Sequence, residues 1–61
     1  MKQYCVGMVS FRQEYIKPLY TGELYEYREA RARCDKLRET QKDTLISLAF
    51  DDYVVYNCGT S

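Results

Sequence analysis

Between Leu24 and Thr40 the chain carries one long run that reads as helix. Leu24, Tyr27, Ala30, Cys34 and Leu37 fall three or four apart and share one face. The remaining positions are rich in arginine, glutamate, alanine and leucine, all good helix formers. Glu23 and Glu26 near the start, and Lys36 and Arg38 near the end, suit the helix dipole. The start has two readings. Either Thr21 caps the helix, or a preceding strand runs on through Tyr25 and the helix begins near Glu26. Gln41-Lys42-Asp43 is the exit loop. A helix with one apolar stripe needs a second layer to bury it. In a chain of 61 residues, only short strands remain to build that layer.

Residues 3–11, QYCVGMVSF, read as the first of these strands. Cys5, Gly7, Val9 and Phe11 lie on one face, and Tyr4, Val6, Met8 and Ser10 on the other. Both faces are rather apolar, as in a central strand covered twice, or in one with a covered face and a binding face. Gly7 marks a bulge or a close approach by another backbone. Tyr15 to Tyr20 reads as a second strand. Pro18 cannot donate to a ladder, so it sets this strand at an edge or breaks it. Thr21-Gly22 reads as the turn that ends it.

Residues 44–58 read as a hairpin, two runs of β-formers around Asp51-Asp52. Ile46, Leu48, Phe50, Tyr53 and Val55 then share the face that meets the helix. The rival reading makes Thr44–Phe50 a second helix, because short apolar runs are ambiguous. Gly59-Thr60-Ser61 reads as a tail. The expected fold is therefore α+β, a single domain over residues 1–61. It has a small antiparallel sheet of three to four strands with one helix packed on one face, in the order β-(β)-α-β-β. The helix stripe is expected to meet Val9, Phe11, Ile46, Leu48, Phe50 and Val55. The opposite alternation of the first strand would swap in Val6 and Met8.

The chain has seven tyrosines and no histidine. Tyrosine favours recognition surfaces, and histidine is the common proton carrier and metal ligand near neutral pH. Cys34 falls on the apolar stripe with no histidine to activate it, which excludes a Cys–His nucleophile. No glycine-rich phosphate loop is present, and Cys5, Cys34 and Cys58 lack zinc-ligand spacing. The expected protein is not an enzyme and holds no cofactor or metal. An odd number of cysteines, and no apolar run long enough for a signal peptide or a membrane span, point to a cytoplasmic protein with free thiols. A bridge between Cys5 and Cys58 is conceivable. The alternative is two small buried hydrophobes.

Three groups are candidate sites. Arg28, Arg31, Arg33, Lys36 and Arg38 could grip phosphates, but Glu26, Glu29, Asp35 and Glu39 interleave with them and suit pairing on a solvated helix. Asp43, Asp51 and Asp52 could hold a divalent ion, or simply be solvated turn residues. Tyr4, Tyr15, Tyr20, Tyr25 and Tyr56 are not obviously needed inside, and together make an exposed aromatic surface. Zero net charge argues against a dedicated nucleic-acid binder.

In size, tyrosine-rich composition and strand–helix–hairpin order, the chain resembles the small single-domain proteins encoded by phages and mobile elements, the anti-CRISPR proteins among them. No residue motif carries the resemblance. It implies a stoichiometric inhibitor or adaptor that blocks a larger complex, such as a host-defence one. The neutral charge separates the chain from simple DNA mimicry. The expected function is a non-enzymatic protein-binding module toward a protein or protein–nucleic-acid complex. Tyr4, Tyr15, Tyr20, Tyr25 and Tyr56 serve as anchors, and Arg28, Arg31 and Arg38 as polar contacts. The alternatives are a small nucleic-acid-binding or transcription-regulating protein using the arginine-rich helix, and a structural homodimer formed through an open strand edge. No membrane contact is expected.

Overall fold

The structure, a computed structural model, describes residues 2–20 and 23–59. Thr21, Gly22, Thr60 and Ser61, assigned above to a turn, a cap and a tail, lie outside the described residues. The elements run β1 (Tyr4–Ser10), β2 (Tyr15–Pro18), α1 (Tyr27–Thr40), α2 (Lys42–Leu48) and β3 (Asp52–Asn57). The sheet is antiparallel, in the order β2-β1-β3, and the fold is α+β as expected. Among the described residues, no helix is long and apolar enough to cross a membrane.

β1 is the central strand because it is the most apolar, and six of its seven residues are buried. Its Met8 lies opposite Lys17 of β2 and Tyr53 of β3. Gly7 answers the close approach expected of it. A Cβ there would stand 2.8 Å from the Lys17 carbonyl oxygen and 2.9 Å from Ile16 Cγ2. The open face of the sheet is thus narrowed at Gly7, and the Tyr56 ring lies close over the same point, 3.1 Å from that Cβ position.

α1 packs across β3 and β1 and leaves β2 exposed along its length. The core is Val6, Met8, Tyr25, Ala30, Cys34, Leu45 and Tyr53, so the opposite alternation of β1 is the one that meets the helix. Phe11 is exposed instead, in the loop between β1 and β2. The helix begins at Tyr27 with Glu26 as its N-cap, so of the two starts the one with extended chain through Tyr25 is the one that forms. Tyr4 and Tyr25 exchange backbone hydrogen bonds at 2.8 and 2.9 Å, which holds Tyr25 extended. That pairing corrects two assignments. Tyr25, expected as a surface anchor, is only 7% exposed, while Tyr27, expected in the core stripe, is 48% exposed.

The expected hairpin over 44–58 is also corrected, because the rival helix forms there as α2. β1 already has a partner on each side, so a strand at 44–50 would have had to extend the sheet beyond β3. α2 closes with Phe50 N–H donating to Leu45 O at 2.9 Å and Ala49 N–H to Ile46 O at 3.2 Å. This paired C-terminal closure usually places glycine where Ala49 stands, at φ 62°. Only Leu45 of α2 is buried; Ile46 and Leu48, expected in the core, face outward. Asp51 is no hairpin turn. Its N–H donates to Val9 O and its carboxylate accepts from Phe11 N–H at 2.7 Å, tying the start of β3 to the end of β1.

Cys5 and Cys58 are joined in a disulfide, not the pair of free thiols expected. They stand close because Cys5 lies opposite Tyr56 in the β1–β3 ladder, and Cys58 N–H continues it by donating to Gln3 O. Cys34 is the free cysteine, buried as its helix position required.

Candidate protein-docking surface

Since α1 crosses β3 and β1, the strip of sheet over β2 stays open on the helix side. A groove of about 390 Å³ runs there. Met8 and Tyr53 form its floor, Leu19, Leu37 and Leu48 its walls, and Tyr20 with Lys17 its rim. The shortness of α2 creates the far wall. One face of its two turns is spent on burying Leu45, so Leu48 turns into the groove, while Ile46, 77% exposed, lies outside its lining.

On the other face of the sheet lies a second recess, of about 420 Å³. Cys5, Pro18, Leu19, Tyr20, Leu24 and Tyr56 line it, next to the disulfide. Leu19 and Tyr20 border both recesses, so the two meet at the end of β2. Tyr20 sits at this corner with φ 50°, and its carbonyl accepts from Glu23 N–H at 2.9 Å.

The five tyrosines expected as anchors separate in space. Tyr20 and Tyr56 border the recesses. Tyr15 is exposed at the opposite end, its ring 6.3 Å from that of Phe50. Tyr4 is half-buried, with the Tyr27 ring edge-on at 5.1 Å. Tyr25 is internal: the Tyr20 ring meets it edge-on at 6.2 Å, and the Arg33 guanidinium lies 4.5 Å from its ring centre. Arg33 also reaches Tyr20 and pairs with Glu29 at 3.2 Å, so it fixes the corner aromatic from the helix side. Sequence reasoning missed Leu48 and Ile46 as surface residues. Their spacing from Leu45 on a helix, not a strand, carries that signal.

The expected polar contacts separate likewise. Arg38 is engaged within the chain, with ion pairs to Asp35 and Asp52 and a hydrogen bond to Tyr53 O at 2.9 Å. Partial burial lowers its pKa, but Cys34, Asp52 and Asp35 outweigh this and hold it above the usual arginine value. Arg31 donates to the Tyr27 hydroxyl at 2.8 Å, and that bond raises its pKa. Arg28 is exposed on α1. Asp43 lies in the first turn of α2, while Asp51 and Asp52 hold backbone N–H groups of Phe11 and Tyr53. Among the described residues no group of three such side chains could hold a metal ion.

Burial raises the Cys34 thiol, so it stays protonated and a poor nucleophile near neutral pH. Burial also raises the phenols of Tyr53 and Tyr56. Tyr53 donates its hydroxyl proton to Gln41 O at 2.8 Å, a bond only the neutral form can make. Folded values above the unfolded value of about 10 give stability that is complete below that pH. It is lost as pH rises through the raised values. A tyrosinate absorbance titration is expected to show a late component that coincides with loss of far-UV circular dichroism. Complete ionisation with the dichroism unchanged would contradict this.

Comparison of the chain with protein-family models, with curated proteins and with solved structures finds no match.

Proposed function

We propose that this protein is a non-enzymatic binding module, a small inhibitor or adaptor that occupies the surface of a larger protein or protein–nucleic-acid complex. The observation that carries the reading is the junction of two apolar recesses at Leu19 and Tyr20, rimmed by tyrosines. Binding energy in protein interfaces concentrates in a few aromatic anchors set beside well-packed pockets. Tyr20 at the junction, Leu48 in the helix-side groove and Tyr56 in the recess on the opposite face supply such anchors. The resemblance to small phage-encoded inhibitors supports a host-defence complex as the partner class. The cytoplasmic location expected from the cysteine count fits poorly with the disulfide, which favours an oxidising environment.

The test uses two variants, Tyr20→Ala and Leu48→Asp, combined in one chain. Both side chains are substantially exposed, so circular dichroism is expected to stay unchanged. A partner captured by the wild-type chain and identified by mass spectrometry is then titrated with each protein. The double variant is expected to bind at least tenfold more weakly, a loss of about 1.4 kcal/mol. Undiminished binding would end the proposal. Binding that collapses between low and moderate salt would instead support the nucleic-acid reading, through counterion release.

A further inference from the structure

The two edges of the sheet are not alike. Leu19 N–H donates to Val6 O, on the β2 side of β1, whereas Asp51 N–H donates to Val9 O, on the β3 side. Even-numbered residues of β1 therefore turn their backbone groups toward β2, and odd-numbered ones toward β3. With Gly7 opposite Val54 and Cys5 opposite Tyr56, the inward groups of β3 belong to Asp52, Val54 and Tyr56. Those of Tyr53, Val55 and Asn57 point out from the sheet.

Tyr53 is capped at this edge. Its N–H donates to Asp52 Oδ1 at 2.8 Å, and its carbonyl accepts from Arg38 Nη2 at 2.9 Å. Among the described residues no comparable cap covers Val55 or Asn57. At the opposite edge, β2 is four residues long and carries Pro18 at an outward position, where no N–H exists. An added strand thus finds its repeating donors and acceptors on β3.

Beside this edge, on the helix side, lies a recess of about 310 Å³ lined by Tyr27, Arg31, Arg38 and Val55, with Cys34 beneath. Val55 lies opposite core residue Val6, so its side chain points to the helix side. A residue set opposite Val55 on an added strand projects to that side as well, into the recess. Asp35 and Asp52 are both held by Arg38. Arg31 makes no ion pair among the described residues, although the Asp35 charge one turn on acts on it, and its bond to Tyr27 uses one of five guanidinium donors.

We infer that the outer edge of β3 receives an extended segment of a partner protein as a fourth strand, and that Arg31 binds a carboxylate on that segment. A second copy of this chain suits the edge less well. Two-fold pairing about Val55 would bring the arginines of the two α1 helices toward one another, like charge to like. An acidic strand brings the opposite charge to the same place. This surface is separate from the corner at Tyr20, so either reading can fail while the other stands.

The probe is a capped nine-residue peptide of alternating threonine and valine with glutamate at its centre. The comparison peptide carries lysine there. Each is titrated into the ¹⁵N-labelled chain. The Val55 and Asn57 amide signals are expected to shift and gain protection from exchange, with the glutamate peptide binding about fivefold more tightly, as a partly exposed ion pair permits. Arg31→Gln should remove that preference and keep the same amides perturbed. The inference is overturned by equal binding of the two peptides to the wild-type chain. Shifts centred on Ile16 and Lys17, no binding, or concentration-dependent self-association through the β3 amides would also overturn it.

Discussion

Replacing Cys5 and Cys58 by serine together is expected to destabilise the fold by about 4 kcal/mol on the loop-entropy model. The bridge spans a sequence separation of 53, nearly the whole chain. A domain of this length has a total stability of only about 3–9 kcal/mol at ordinary per-residue values. The loss is therefore between nearly half of the margin and all of it. Urea denaturation followed by circular dichroism checks it, and the wild-type chain with a reductant should move to the same midpoint as the double variant. A drop below about 1 kcal/mol would show that the backbone pairing of Gln3 with Cys58 closes the ends unaided.

Tyr53→Ala carries the other large effect. Tyr53 is the largest of the fully buried side chains and lies at the meeting point of β3, β1 and the helices. Truncation of a buried aromatic costs about 3–5 kcal/mol, from lost burial plus the cavity left behind. Its place on the groove floor adds a second consequence: the space opened beneath Leu37 and Leu48 lets both walls relax inward. Tyr53→Phe separates the terms. It keeps the ring and removes the hydrogen bond to Gln41 O, an exposed residue that water can reach, so about 1 kcal/mol is expected. Equal losses in the two variants would mean that the hydroxyl, not the ring, holds this part of the core. Thermal or urea unfolding of both decides the matter.

Much of the fold was legible because periodicity and chain punctuation agree. α1 announced itself by its stripe and β1 by its valines. Pro18 marked an edge, and Gly7 a close approach. The errors have a common origin in contacts between distant segments. Tyr25 and Tyr27 exchanged places because Tyr4 pairs with the Tyr25 backbone, which delays the helix. Thr44–Phe50 has β-forming residues, yet it coils and buries Leu45 against the core, while the outer edge of β3 stays open. Ala49 then takes a left-handed closure without the glycine that would have signalled it. At the candidate surface, Tyr20 and Tyr56 were named from composition alone, which carried no signal to separate them from Tyr4, Tyr15 or Tyr25. Ile46 and Leu48 were missed, since their exposure depends on α2 existing.

The sulfur bridge also decides how the molecule bears load. Tension that enters upstream of Cys5 and leaves beyond Cys58 passes through a covalent link and bypasses the strands and helices between them. Pulled from its ends, the chain between the two sulfurs cannot extend past the bridge, and the load falls instead on contacts upstream of it, such as those of Tyr4 with Tyr25.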